Sequence, residues 1–163
     1  MKRVCGGVLL ACVLHTAFVA RAHASGNFSL TFTGGVCLFE KSEGGIGITG
    51  SYYGKDWGAE LRFMDHERGL LFDVNGMYKT CFFCVNRLFT TIGIGATAST
   101  YTDYNDDDYV FAGMNIKNGM EFYLSPSAFI SLDFTLYALA DLSDVGGKLW
   151  LGVVFAGGVG FRF

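Results

Sequence analysis

The sequence ends with the stretch "VVFAGGVGFRF" (Val153–Phe163), in which large apolar side chains recur at nearly every second position. Because successive side chains of a β-strand point to opposite faces, this alternation predicts a strand with one apolar face. Chain termini usually fray into water. An aromatic final residue therefore predicts that the last strand is held in a sheet as far as Phe163.

The same alternation continues upstream and predicts eight strands joined in one meander. The composition agrees, because 23 glycines, 1 proline, 16 phenylalanines and 8 tyrosines suit long strands better than packed helices. Asn118 interrupts the apolar face of the sixth segment. The predicted segments are Asn27–Thr33, Gly45–Tyr53, Trp57–Met64, Leu70–Lys79, Leu88–Tyr101, Tyr109–Leu124, Ala128–Ala140 and Lys148–Phe163.

The predicted connections form two alternating classes. One class has two short turns and a longer middle one, and comprises Gly54–Asp56, Thr80–Arg87 and Ser125–Ser127. The other class holds ten acidic residues and only two basic ones, and comprises Val36–Gly44, Asp65–Gly69, Thr102–Asp108 and Asp141–Gly147. Long polar loops that alternate with short turns are typical of membrane barrels, in which the long loops lie outside.

Residues 1–24 have the features of a secretory signal peptide. Two basic residues precede a mostly apolar run from Val4 to Ala20, and an Ala-His-Ala cleavage pattern ends at Ala24. A lipoprotein box at Leu9–Cys12 is an alternative, although the apolar run continues past it. We expect cleavage after Ala24, which leaves one barrel domain at residues 25–163.

Net charge argues against a nucleic-acid partner, and hydropathy argues against a transmembrane helix after the leader. Without the leader, the chain keeps all 15 acidic residues and loses three of its 12 basic ones, which gives a net charge near −6. A nucleic-acid partner would favour a basic face. No later stretch reaches the apolar length of a transmembrane helix, so any membrane insertion must use strands.

Eight amphipathic strands also describe a lipocalin, a secreted barrel whose apolar face lines a ligand cavity. Three observations favour the inverted arrangement, in which the apolar face points outward towards lipid. The strands are long enough to cross a bilayer, which takes about 9–11 residues. The polar face combines small residues with charges of both signs, which suits the filled interior of an eight-stranded barrel. The apolar alternation also continues to the last residue.

The terminal stretch resembles the C-terminal signature of outer-membrane β-barrels, whose last strand ends in Phe after alternating apolar residues. The matching positions are Phe155, Val159, Phe161 and Phe163, whereas Gly157 departs from the pattern. The block from Ala112 to Ala138 also resembles a strand–turn–strand unit of small OmpX-, OmpW- and opacity-type proteins. The resemblance implies an eight-stranded antiparallel up-and-down transmembrane barrel in the outer membrane, with long loops extracellular and termini periplasmic. It further implies that outer-membrane lipid surrounds the chain and that the barrel assembly machinery recognises its last strand.

The predicted interior carries a charge network that comprises Glu60, Arg62, Asp73, Lys117, Glu121, Asp133 and Arg162. Buried charges need partners, so we expect ion pairs among these residues, including one from Arg162 to Glu121 or another interior carboxylate. A salt-bridge plug is the first interpretation, because eight strands leave little lumen. A narrow polar path for ions is the alternative.

Inward-facing apolar residues near the loops suggest a second function, an OmpW-like conduit for small hydrophobic molecules. The residues that would line a pocket at the outer rim are Met64, Leu71, Phe111 and Trp150. The same side chains would equally serve as packing at the rim.

Cys81 and Cys84 form a C-x-x-C motif in the middle turn. Exported chains form disulfides readily, so we expect a local disulfide there, with free thiols as the alternative. No second such motif or histidine pair accompanies it, so we expect no metal. Cys37 is assigned to the first outer loop, on the opposite rim.

Two features of the outer loops need an interpretation. The acidic stretch Asp103–Tyr109 is expected to be a solvated loop; the alternative is that it binds calcium or a host partner, although its spacing is not that of an EF-hand. His66 is the only histidine after the expected leader, and no serine lies near it in sequence. A lipid-modifying enzyme is therefore not favoured, and we expect no cofactor. The sequence predicts a non-catalytic surface barrel that presents acidic loops.

Overall fold

The computed structural model describes residues 27–39, 42–81, 87–102, 107–143 and 149–163. The expected leader, Cys84 and most of the acidic stretch lie outside these ranges. The described strands are β1 (Asn27–Leu38), β2 (Ser42–Tyr53), β3 (Trp57–His66), β4 (Gly69–Cys81), β5 (Leu88–Thr102), β6 (Asp108–Ser125), β7 (Ala128–Asp141) and β8 (Leu149–Arg162).

The eight strands form a closed barrel in which every strand pairs antiparallel with its neighbour in sequence. The last strand closes the barrel on the first, with a register that pairs Ser29 with Arg162 and Leu38 with Val153. Full closure leaves no unpaired strand edge. This confirms the predicted eight-stranded up-and-down architecture. Within the described ranges, no helix is long and apolar enough to cross a membrane.

The strands are longer at the loop side than the apolar pattern predicts, and this corrects the assignment of three residues. Cys37 lies on β1 opposite Glu43 of β2, and His66 is the last residue of β3. The apolar pattern predicts loops at all three positions. Backbone pairing continues past the apolar segment because each added pair satisfies hydrogen bonds that would otherwise meet water, whatever the side chains are. The apolar pattern marks only part of each strand.

Alternate residues of each strand divide cleanly between the two faces. On β4, Phe72 and Val74 are exposed on the outside, whereas Leu71 and Asp73 are buried inside. The same division holds on β7, where Leu132 and Leu136 lie outside and Ser131 and Thr135 lie inside. The apolar face therefore points outward, which is the reverse of a lipocalin.

Glycine is required at a crowded position of the barrel interior. A Cβ added at Gly95 of β5 would collide with the side-chain oxygen of Asn75 and the carbonyl oxygen of Val74, both on β4. The inward face of β5 therefore has no room for a side chain at this position. The space is taken by the polar side chain of Asn75 on the neighbouring strand.

Candidate functional site in the barrel interior

We call the end of the barrel that holds Asn27 and Phe163 the terminal end, and the opposite end, where β1 leads into β2, the loop end. The inward residues of β3 are Glu60, Arg62, Met64 and His66, in order towards the loop end. Each belongs to a different layer of interior side chains.

The central layer is built around Arg62 and Asp73, which face each other across the β3–β4 ladder. Arg62 Nε donates to Asp73 Oδ2 at 2.8 Å, and its Nη2 lies 2.6 Å from the same oxygen. Tyr137 donates to Oδ2 at 3.0 Å, and Thr97 donates to Oδ1 at 2.8 Å. Both carboxylate oxygens of Asp73 therefore accept hydrogen bonds. Thr97 of β5 and Tyr137 of β7 hold the ion pair in position.

The adjoining layer joins Lys117 to two carboxylates. Its ammonium nitrogen lies 2.7 and 2.9 Å from the two oxygens of Glu60, and 3.4 Å from Asp133 Oδ2. Asn75 donates to Glu60 at 3.3 Å. Two acids from β3 and β7 thus hold one lysine of β6 at the middle of the lumen. This arrangement has the form expected of a buried charge that is stabilised by paired partners.

The layer at the terminal end centres on Lys79, which the sequence analysis left out of the charge network. Lys79 forms an ion pair with Glu121 and donates to the Tyr123 hydroxyl at 2.9 Å. Its ammonium also lies 4.9, 5.3 and 5.0 Å from the ring centroids of Tyr53, Phe89 and Tyr123. Lys79 lies on the polar side of the alternation, so its inward position was predictable from the sequence. Its pairing with Glu121 was not predictable in this way.

The structure corrects the expected partner of Arg162. Glu121 is paired with Lys79, and the Arg162 guanidinium lies 6.0 Å from the ring centroid of Tyr123 instead. In the described part of the chain, Arg162 forms no ion pair with a carboxylate. The aromatic ring of Tyr123 supplies a cation–π contact.

Towards the loop end, the charged layers give way to an apolar cluster. Met64 and Leu71 are 0 % exposed, Phe111 is buried, and Trp150 packs against them with its ring centroid 4.8 Å from that of Phe111. These four residues were predicted to line a pocket. The structure packs them together with Cys37, whose sulfur lies 3.6 Å from Met64 Sδ. The cluster fills the interior at the level where a conduit would open.

Beyond the apolar cluster, a fourth polar layer lies at the loop end. His66 Nδ1 lies 3.0 Å from Glu43 Oε2, and Arg68 Nε lies 3.6 Å from Glu43 Oε1. The His66 ring stacks on Tyr101 with a centroid distance of 6.5 Å. His66 therefore points into the barrel. Sequence reasoning missed the pair because it placed both His66 and Glu43 in loops.

The remaining predicted sites fall partly outside the described residues. Cys81 is exposed at the end of β4, but Cys84 is not described, so their disulfide remains a prediction. Of the acidic stretch, Asp107 and Asp108 are exposed, and Thr102 donates to Asp108 at 2.7 Å. Across the described ranges, no group of three or more His, Cys, Asp or Glu side chains is arranged to hold a metal.

The residues of the terminal signature lie on the outer face of β8. Phe155, Val159, Phe161 and Phe163 are all exposed there. The backbone N–H of Phe163 donates to Phe28 O at 2.9 Å, and the rings of Phe28 and Phe163 are 6.2 Å apart. The final residue is therefore fastened to β1 by both backbone and side chain.

Comparisons with known proteins agree with this architecture. No protein-family model and no curated protein matches the sequence. Among solved structures, Ail, the attachment invasion locus protein of Yersinia pestis, aligns with a TM-score of 0.61 at 13% identity, covering 86% of this chain and 100% of Ail. The Ail structure is a complex with the heparin analogue sucrose octasulfate.

Two further barrels are similar. Neisserial surface protein A aligns with a TM-score of 0.60 at 9% identity, covering 86% of this chain and 98% of that one. The N-terminal β-barrel domain of Pseudomonas aeruginosa OprF aligns with a TM-score of 0.58 at 18% identity, covering 85% and 100%. At these identities the likeness concerns the fold. The chain has the fold of the small eight-stranded outer-membrane β-barrels.

Proposed function

We propose that this protein is an integral outer-membrane barrel with a closed interior, which acts through the loops at its loop end and catalyses no reaction. In this proposal residues 1–24 are a signal peptide, the termini are periplasmic, and the barrel assembly machinery recognises β8. The apolar outer face and the alternation of short and long connections support this orientation.

The observation that carries the proposal is the filling of the interior. Arg62 and Asp73 in the central layer are 0 % exposed, as are Met64 and Leu71 in the apolar cluster. Water-filled barrels are wider, with about 16–18 strands, and leave their inward side chains solvated. An interior closed by ion pairs and by apolar packing in successive layers supports a membrane anchor over a pore.

The placement of His66 supports the absence of catalysis. Its side chain is buried against Glu43 inside the barrel, with Tyr101 stacked on the ring. A lipid-modifying histidine would have to reach a substrate on the outer face or at the rim. Here the only histidine among the described residues is buried inside the barrel and does not lie on the outer face.

The loops are the surface through which such a barrel would bind a partner. Asp65, Glu67, Asp107 and Asp108 are exposed at the loop end. These carboxylates favour a partner with a basic surface and disfavour a sulfated polysaccharide. The chain would therefore differ in its ligand from Ail, whose structure holds a sulfated sugar.

The test begins with purified protein refolded in detergent and inserted into liposomes. We expect heat-modifiable gel mobility, no ion conductance, and salt-sensitive binding of the proteoliposomes to immobilised polylysine but not to heparin. Neutralising the loops with Asp107→Asn and Asp108→Asn should weaken polylysine binding without changing the gel mobility. A protein that stays soluble without detergent, or a steady conductance, would contradict the proposal.

The apolar cluster favours one second candidate, an OmpW-like conduit for small hydrophobic molecules. A charge plug alone does not need Met64, Leu71, Phe111 and Trp150 on the inward face. A conduit would require this cluster to separate and open a path to the outer leaflet. Uptake of a hydrophobic fluorescent dye into proteoliposomes, lost on Trp150→Ala, would support it. Uptake equal to that of empty liposomes would exclude it.

A further inference from the structure

Asn118 places a carboxamide in the middle of the apolar outer face. It is exposed on β6, between Ile116 and Met120, which are 55 % and 41 % exposed. Across the ladders it pairs with Ile92 of β5 and Phe134 of β7. The four outward neighbours of this amide, two along its own strand and one on each side, are therefore apolar.

The position along the strand puts Asn118 well inside the apolar band. It lies seven residues from Ser125, where β6 ends. At about 3.3 Å per residue and a tilt of about 40°, this is roughly 18 Å from the terminal end along the barrel axis. The apolar band of a membrane barrel is about 25 Å tall. The amide cannot reach either interface, because its side chain is too short to extend that far.

The amide has no hydrogen-bond partner in the described part of the chain. The nearby outward hydroxyl, that of Thr90 on β5, donates to Gly119 O at 3.1 Å instead, and hydrocarbon offers no partner. An unsatisfied amide in an apolar medium is costly. The position therefore calls for a hydrogen-bonding group from outside the barrel at the same depth.

The surface beside Asn118 is shaped for close approach. A groove of about 410 Å³ runs from Asn118 across β7 to β8, bordered by Leu132, Phe134 and Phe155. Its far end lies over Gly157, which pairs with Gly34 of β1, so two outward positions there carry no side chain. Gly157 is also the position at which the terminal strand departs from its apolar pattern.

We propose that this face binds a second copy of the chain, with Asn118 of each copy hydrogen-bonded to Asn118 of the other. A carboxamide carries both a donor and an acceptor, so it is complementary to itself across a two-fold axis. An axis parallel to the barrel axis keeps equivalent residues at equal depth and brings the two amides together. The groove then accepts apolar side chains from the partner. This inference rests on the membrane location proposed above.

The association is tested in proteoliposomes by single-molecule counting of labelled barrels at increasing protein-to-lipid ratio. Wild type should dimerise, and Asn118→Leu should weaken association about tenfold or more. Asn118→Gln keeps the carboxamide and should retain most of the association. A monomeric wild type at every ratio, or undiminished dimerisation of Asn118→Leu, would overturn the proposal.

Cross-linking tests the geometry of the contact. In a Cys81→Ser, Cys84→Ser background that keeps Asn118, oxidation of Met120→Cys, at the next outward position of β6, should give a disulfide-linked dimer. Ile46→Cys is the matched control, because Ile46 is 71 % exposed on β2, four strands away around the barrel. Equal cross-linking at both positions would show random collision and overturn the assigned face.

The two proposals fail in different ways. A barrel that shows heat-modifiable mobility in the bilayer but never dimerises refutes the dimer alone. A protein that does not need a membrane or detergent to stay folded refutes both.

Discussion

Arg62 and Asp73 are directly opposite each other on β3 and β4, with Arg62 Nη2 2.6 Å from Asp73 Oδ2 and both side chains fully buried. A buried pair of this kind does not guarantee high stability, because removing two charges from water offsets much of their attraction. Its loss is nevertheless severe when one partner remains. The pair therefore constrains which substitutions the interior accepts.

Replacing only one member of this pair should destabilise the barrel strongly. Asp73→Leu leaves the Arg62 guanidinium buried without its carboxylate, and we expect a loss of about 3–5 kcal/mol. The double variant Arg62→Met, Asp73→Leu removes both charges and should recover most of that loss. The measurement is urea unfolding in detergent micelles, followed by gel mobility. Asp65→Leu, at an exposed position of β3, is the control, and an equal loss there would contradict the explanation.

The apolar cluster near the loop end should contribute to stability without controlling conductance. Met64→Ala empties space around a side chain that is 0 % exposed, and should cost about 2–5 kcal/mol in the same unfolding experiment. Met114→Ala on the outer face should cost much less, because Met114 is 60 % exposed. Conductance of Met64→Ala should stay at background since the charged layers still fill the lumen. A clear rise in conductance would mean that the apolar cluster alone seals the barrel.

The sequence was sufficient to predict which side chains enter the barrel, because strand alternation has a period of two and depends on nothing distant. Glu60, Arg62, Asp73 and Lys117 all followed from this rule, and each is buried in the structure. The outward position of Phe163 followed from the same rule.

The pairing of interior charges could not be predicted, because it depends on register and closure. Lys79 and Glu121 lie on β4 and β6, with β5 between them, so only the curvature of the closed sheet brings them together. Glu43 and His66 were missed for a different reason. Their strand segments continue past the apolar pattern, and the sequence carries no signal for where backbone pairing stops.

The inward face of β5 should reject even a methyl group at Gly95. A Cβ there collides with the Asn75 side chain and with the carbonyl oxygen of Val74, and backbone cannot move aside without disturbing the ladder. We expect Gly95→Ala to cost about 1–3 kcal/mol. Gly76→Ala on the neighbouring strand is the matched control, because its nearest atom would be Ile94 O at 3.9 Å, an ordinary contact. Similar losses for the two variants would show that the crowding at Gly95 is relieved elsewhere.

The last residue should matter for assembly more than for the stability of the finished barrel. Deleting Phe163 removes both its backbone donor to Phe28 O, at 2.9 Å, and its ring contact with Phe28. Phe163→Ala removes only the ring. We expect both variants to lower the amount of heat-modifiable protein in the outer membrane severalfold, the deletion more so, because the resemblance makes the terminal ring part of what the assembly machinery recognises. Refolding of the same variants in detergent, where no machinery acts, should be nearly normal for Phe163→Ala. Unchanged membrane levels of the deletion variant would show that β8 is recognised through its other outward residues.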